Sequence, residues 1–339
     1  MIRTLASALA LTAAFWAPLP LTAQEPQALA PGEIVTRASA EEWVAIPAED
    51  LLVMTLAPDA DGNPRQVVIQ LMPPPFSEGW VHNIRLFARS GWYDGISVNR
   101  VQDNYVVQWG DPNYDNPEAS GQVKTLPEGL KVMGGAEYIV SVFRDGVQEL
   151  PAKPTMIADS AHPPMRLAPV AAAWGADTYA PSTGFWSGWP LGISDQSNWP
   201  IHCYGMVGVG RNYSPDTGSG AELYTVIGHA PRHLDRNIAL VGRVIEGMEH
   251  LSSLPRGRGE LGFYAAHEVA KRTPILTVRV ASDLTASAQP RFEYLSTDSD
   301  TFSRYADARA NRRDPFFIVP AGGADICNIP VPVRRLQVE

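Results

Sequence analysis

Cysteine is scarce in this chain, with two residues, Cys203 and Cys327, among 339. Neither belongs to a Cys-x-x-Cys pair, which excludes a thioredoxin-like motif and a thiolate zinc site. Charge is sparse too: Asp, Glu, Lys and Arg make up 19% of the chain, and the formal net charge is −9. A general nucleic-acid surface needs a basic face, so no nucleic-acid partner is expected. "GVGRN", residues 208–212, and the "GSG" after it lack the Gly-Lys-Ser/Thr ending of a phosphate loop and read as a turn between strands. His229 and His233 flank Pro231 in a loop with no third ligand nearby, so neither a metal nor a cofactor is expected. The one marked apolar run, in residues 1–23, is broken by Pro18 and Pro20 and is too short to span a bilayer.

Residues 1–23 nevertheless have the layout of a secretory signal: an early arginine, an apolar centre, and small residues before "QEPQ". Cleavage is expected near Ala23. It would remove one arginine and no acid, taking the net charge from −9 to −10. The expected product is a soluble exported protein, periplasmic or secreted, with no stable membrane insertion. Two cysteines suit that oxidising compartment. A Cys203–Cys327 disulfide would tie the C-terminal tail to the middle of the chain; the alternative is two separate buried thiols.

Abundances point to strands. Thirty prolines and 28 glycines imply many turns, while a 45% hydrophobic content can fill a large core. Residues 24–47 read as a linker. "LLVMTLA" from Leu51 and "QVVIQLM" from Gln66 are apolar strands separated by "PDADGNP", whose Asp-Gly supplies hairpin chemistry. Val81, Ile84 and Ala88 then recur at helical spacing, with Ser77 as N-cap and "SGWYDG" as the stop. "ISV" and "NYVVQW" return to strand spacing.

From about 113 to 200 the chain reads as an irregular insertion holding Trp174, Trp186, Trp189 and Trp199, with a strand at "EYIVSVF" and a short helix at "APVAAAW". Tryptophan is rare in disordered chain, so this insertion is expected to be ordered, its tryptophans packed on the rest of the fold rather than forming a sugar- or peptide-binding surface. Three strands follow, "CYGMVGVGR", "ELYTVIG" and "NIALVGRV". Next come a helix placing Val244, Met248 and Leu251 on one face and a last strand, "PILTVRVAS". Residues 285–339 form a C-terminal extension with a helix around Phe302 and Tyr305. Many antiparallel strands with two helices is the pattern of a closed, capped barrel, placed at residues 48–284.

"GWYDGISVNRVQDNYVVQWGDP" resembles the signature of the cyclophilin-type peptidyl-prolyl cis-trans isomerases: a Tyr-Asp-Gly turn, a strand ending in an arginine and a valine, then a strand with glutamine before Gly-Asp. "HLDRNIALVGRVIEGMEHLSSL" is similar to the family's later leucine-aspartate turn, strand and glycine-methionine helix. The resemblance spans roughly 50–112 and 203–283. It implies a mainly β fold, a closed eight-stranded antiparallel barrel capped by two helices, acting on proline-containing polypeptides of exported proteins.

The same resemblance assigns roles. Arg100 matches the catalytic arginine and Gln108 the glutamine that holds the substrate backbone. Tyr105, Val106, Tyr224 and Leu234 match the proline pocket, while Glu222 falls near a family glutamine. Departures are Asn99 for histidine, Gly208 for a substrate-binding asparagine, His233 for a tryptophan near the substrate and Ile238 for a pocket histidine. A catalytically weak binding module or chaperone on the same barrel is the alternative function.

Overall fold

The hairpin anticipated at residues 51–71 forms because its turn is self-organising. One Asp59 carboxylate oxygen accepts from the N–H groups of Asp61 (2.9 Å) and Asn63 (2.8 Å), and Gly62 takes the left-handed φ of 85°. Its arms, β1 (Leu51–Leu56) and β2 (Arg65–Leu71), pair antiparallel with Leu52 opposite Ile69 and Met54 opposite Val67. The structure, a computed structural model, describes residues 28–114, 117, 119–141 and 177–337.

Six further strands complete the sheet: β3 (Ser97–Val101), β4 (Val106–Gly110), β5 (Met206–Val209), β6 (Leu223–Val226), β7 (Leu240–Glu246) and β8 (Ile275–Val280). Their order is β8-β1-β2-β7-β5-β6-β4-β3, antiparallel throughout. The outer strands then meet: Val98 N–H donates to the Thr273 carbonyl (2.9 Å) and Ile275 N–H to the Ile96 carbonyl (2.8 Å). The sheet is thereby nearly closed into a barrel, which removes the exposed strand edges that invite aggregation.

"LLVMTL" does not alternate apolar with polar because both its faces are covered. Leu52, Met54 and Leu56 join Val67, Ile69 and Leu71 in the main core. Leu51 and Val53 face the other way and join Val68, Ile46, Ala281 and Phe292 in a separate apolar layer. That outer layer comes from the chain ends. Strands Trp43–Ala45, Phe292–Leu295 and Val333–Arg335 form a three-stranded sheet, and helix α1 (Pro31–Thr36) packs on α4 (Asp300–Ala310). Residues 31–45, read from the sequence as linker, are therefore an ordered partner of the C-terminal extension. Cys203 and Cys327 are joined in a disulfide with Cα atoms 5.1 Å apart, which fastens that extension to the start of β5.

Helix α2 (Glu78–Arg89) lies where the spacing put it, burying Trp80, Val81, Ile84 and Phe87. Ser77 precedes it but does not cap it: the residue is left-handed, with φ 52°, and its hydroxyl donates to the Leu240 carbonyl (2.7 Å). The second helix is shorter than expected. Val244 belongs to β7, and α3 is a single turn, Glu249–Ser252, with Leu251 buried. Gly247 explains the break, since its φ is 82° and a Cβ there would sit 2.1 Å from the Gln66 carbonyl oxygen.

The stretch read as irregular contains a third antiparallel sheet, ordered Val140–Ser141, Ser197–Pro200, Trp189–Ile193 and Ser182–Trp186. Ser187 and Gly188, both at positive φ (46° and 82°), make the tight turn joining its last two strands. Trp186, Trp189 and Trp199 are buried, with Trp186 edge-on to Phe76 at 5.5 Å, so these three form no binding surface. The strand expected at "EYIVSVF" is a 3₁₀ turn, Gly135–Tyr138, followed by the short strand Val140–Ser141. The last two residues of that stretch, residues 1–23, the helix expected from Ala168 and Trp174 lie outside the described residues.

Candidate active site

A bulge in β3 aims Arg100. Register shifts between Val98 and Arg100, after which Arg100 lies opposite Gln108 of β4. Asn99, within the bulge, is buried: its amide donates to the Gly110 carbonyl (3.1 Å) and its Oδ1 accepts from the Ser97 hydroxyl (2.7 Å). With Asn99 tied there, Arg100 is turned to the outer wall. Its Nε donates to the Leu261 carbonyl (2.7 Å), one terminal nitrogen donates to Gln108 Oε1 (3.1 Å), and the other donates to Gln102 Oε1. The Tyr105 and Phe263 rings lie 5.6 and 5.5 Å from its guanidinium carbon. Burial pushes the guanidinium below its ordinary value, but an arginine starts so high that it stays charged at any physiological pH. A guanidinium carries five N–H groups, and these bonds take three of them.

Around this cation the barrel wall forms a groove of about 460 Å³. Strand β6 contributes Tyr224, directly opposite Gln108. Val106, Tyr224 and Val226, with Tyr105, Leu234 and Ile238 packed beside them, make an apolar cluster separate from the barrel core. Arg100, Gln108, Tyr105, Val106, Tyr224 and Leu234 thus line one cavity. It offers an apolar hollow for a ring, a fixed cation at its edge and an amide beside that cation.

A family model for the cyclophilin-type peptidyl-prolyl cis-trans isomerases matches residues 79–280, more than half of the chain. The chain belongs to the cyclophilin family. Among solved structures it is similar to the cyclophilin AquaCyp293 from Hirschia baltica, at 20% identity and a TM-score of 0.60, covering 89% of this chain and 99% of that one. That likeness shows the fold, and it extends beyond the barrel. A cyclophilin-type isomerase from Cryptosporidium parvum, solved in the presence of the dipeptide Ala-Pro, matches at 10% identity and a TM-score of 0.34, over 67% of this chain and 97% of that one. No curated protein matches.

Two residues that the sequence assigned to this cyclophilin's groove lie elsewhere. Glu222 is buried, and its carboxylate accepts from the Gln108 amide (3.4 Å). It steers Gln108 and does not line the cavity. His233 is exposed, its ring stacked on that of Tyr105 at 6.2 Å, so it supports the outside of a pocket aromatic. Ile238 does line the groove.

The cyclophilin groove also has walls that sequence reasoning missed: Leu261 and Phe263 on one side, Arg211, Asn212 and Tyr213 on another. Both groups sit in loops, where no periodicity marks a side chain. The apolar Phe263 just after the polar, glycine-rich "RGRGELG" was the only signal.

Glu268 fastens the Phe263 loop. Its Oε2 accepts from the N–H groups of Arg258 (2.9 Å) and Ala265 (3.2 Å), and its Oε1 pairs with Lys271 Nζ (2.6 Å). The Lys271 hydrogen bond, then that of the Arg258 amide, lowers this carboxyl to about 2. A depressed carboxyl stabilises the fold fully above its unfolded value of about 4.3, and that contribution is lost progressively as pH falls from there through its folded value. The loop is accordingly expected to stay fastened from pH 7 to about 4 and to loosen as pH approaches about 2. Amide hydrogen exchange at Arg258 and Ala265 checks this, corrected for the intrinsic pH dependence of exchange. Protection constant to about pH 4 in the wild type and lost at pH 7 in Glu268→Ala is the expected pair of results. Equal protection in both proteins would show that Glu268 does not hold the loop.

Proposed function

We propose that this cyclophilin is an active prolyl isomerase that speeds cis-trans steps in exported polypeptides. The observation carrying this reading is a charged, half-buried arginine fixed at the edge of an apolar groove of ring-accepting size. Rotation about an Xaa-Pro bond must lose amide resonance, against a barrier of about 18–20 kcal/mol. No other covalent bond is made or broken, so the site needs no nucleophile. As the bond twists, the prolyl nitrogen becomes pyramidal and gains a lone pair. An N–H of Arg100 can bond that lone pair only then, which is binding specific to the transition state.

Tyr105, Val106, Tyr224, Leu234 and Phe263 would hold the proline ring. Gln108, its amide steered by Glu222, would hold the adjoining carbonyl, so that one side of the bond turns against the other. Uncatalysed isomerisation takes tens to hundreds of seconds. Export is supported by the signal-like residues 1–23 and by the Cys203–Cys327 disulfide, which persists in oxidising compartments. Mass measurement of the exported protein should place its N-terminus near Gln24; a chain retaining Met1 would refute processing.

A second reading rests on Gln102, whose side-chain oxygen already occupies one terminal nitrogen of Arg100. If that bond persists with peptide bound, the barrel recognises proline-containing partners with little catalysis. Prolyl exchange on an Ala-Pro peptide separates the two: acceleration supports the enzyme, and binding without acceleration supports the module.

A further inference from the structure

One groove residue is tied to the interior by a hydroxyl. Tyr224 is 4% exposed, and its hydroxyl shares a hydrogen bond with Nε2 of His202 (3.0 Å), the two rings lying 14° from parallel. His202 Nδ1 lies 2.9 Å from Asp235 Oδ1, an obligate acceptor when ionised, so Nδ1 carries the proton between them. The same oxygen accepts from the His202 backbone N–H (3.0 Å). Asp235 Oδ2 accepts from Arg232 Nε (2.6 Å), and the two terminal nitrogens of Arg232 donate to Asp177 (2.8 and 3.0 Å). His202, Arg232 and Asp235 are 1%, 3% and 4% exposed.

Such a chain is costly to bury and seldom outdoes apolar packing of similar volume for stability alone. Once each member is satisfied, it fixes geometry. Here it ends on one ring of the groove. Gly208 of β5 supplies the remaining condition, since it pairs with Tyr224 and a Cβ there would lie 2.3 Å from the tyrosine hydroxyl oxygen. The ring lies across that backbone, and only glycine leaves it room.

We propose that His202 is a positioning residue: oriented by Asp235, and with Gly208 clearing the space, it fixes the Tyr224 ring as a wall of the proline-binding hollow. The departure at Gly208 and the buried network are then parts of one arrangement. Recognition of the proline ring depends on it, while the barrier-lowering contact remains with Arg100. This inference rests on reading the groove as a prolyl isomerase site.

The test measures kcat and KM for an Ala-Pro peptide, with thermal stability, in the wild type, Tyr224→Phe, His202→Phe, His202→Gln and the Tyr224→Phe/His202→Phe double variant. Each phenylalanine variant is expected to raise KM about five- to tenfold with kcat within about threefold. The double variant should be no worse than the worse single, because both changes remove the same hydrogen bond. His202→Gln, whose amide can still meet the hydroxyl, should recover part of the loss.

Tyr224→Phe removes one oxygen atom and decides the matter if His202→Phe fails to fold. A wild-type KM in Tyr224→Phe, or single effects on KM that multiply in the double variant, would overturn the positioning role. A wild type that accelerates no Xaa-Pro peptide would instead overturn the proposed function, and this inference with it.

Discussion

Arg100→Ala is expected to lower kcat/KM for an Ala-Pro peptide by about 10²–10³-fold, the usual cost of removing one donor aimed at charge that develops in a transition state. The loss should fall mainly on kcat, because the bond is made only when the prolyl nitrogen has become pyramidal. Stability should change little. Arg100 is half-buried, and its three partners, the Leu261 carbonyl and the side chains of Gln102 and Gln108, line or border an open groove where water can replace the guanidinium. Arg100→Lys keeps the charge but loses the planar fork that reaches Leu261, Gln108 and Gln102 together, so it should recover only a small part of the rate. Prolyl exchange spectroscopy on the folded variants measures this directly. A rate within about threefold of wild type in Arg100→Ala would remove the arginine from the mechanism.

The barrel was legible because its signals are local. The Asp61-Gly62 pair announces the first hairpin, and Val81, Ile84 and Ala88 announce α2 at the spacing that an amphipathic helix requires. The Arg100 and Gln108 pairing was legible because both residues lie on adjacent strands joined by a short turn. What escaped is non-local. The sheet at 182–200 depends on the Ser187-Gly188 turn and on aromatic residues that find their partners far away, Trp186 against Phe76 and Phe185 against Phe302 (5.0 Å). Residues 31–45 look polar and linker-like because their order is imposed by the C-terminal extension, through pairings such as Trp43 with Leu295.

The site divides in the same way. Glu222 sits two residues before Tyr224, a spacing that strand alternation assigns to one face, so periodicity could not have separated them; Glu222 lies just before β6 and its carboxylate meets the Gln108 amide instead of the groove. His202 had no sequence signal at all, since its partners Asp235 and Tyr224 are brought to it only by the closed sheet.

The largest expected effect on stability comes from the one covalent crosslink. Cys203 and Cys327 are 124 residues apart, so the disulfide closes a long loop in the unfolded chain, and chain entropy assigns it about 4–5 kcal/mol. Cys203→Ser/Cys327→Ser is therefore expected to lower Tm by roughly 5–10 °C, a large protein spreading such a loss over a large unfolding entropy. The deficit should appear first in the extension. Without the bond, residues 285–337 still hold the barrel through the layer of Phe292 with Leu51, Val53 and Val68, and through the ion pair of Arg335 with Glu246 of β7 (2.6 Å). Those contacts break when the three-stranded sheet opens, whereas the disulfide persists through that opening and keeps the segment at high local concentration. Limited proteolysis should accordingly cut the variant in the extension before the barrel, while the wild type resists until reductant is added. Two titratable thiols in the denatured exported protein, or cleavage of variant and wild type at equal rates, would show that the extension is held by packing alone.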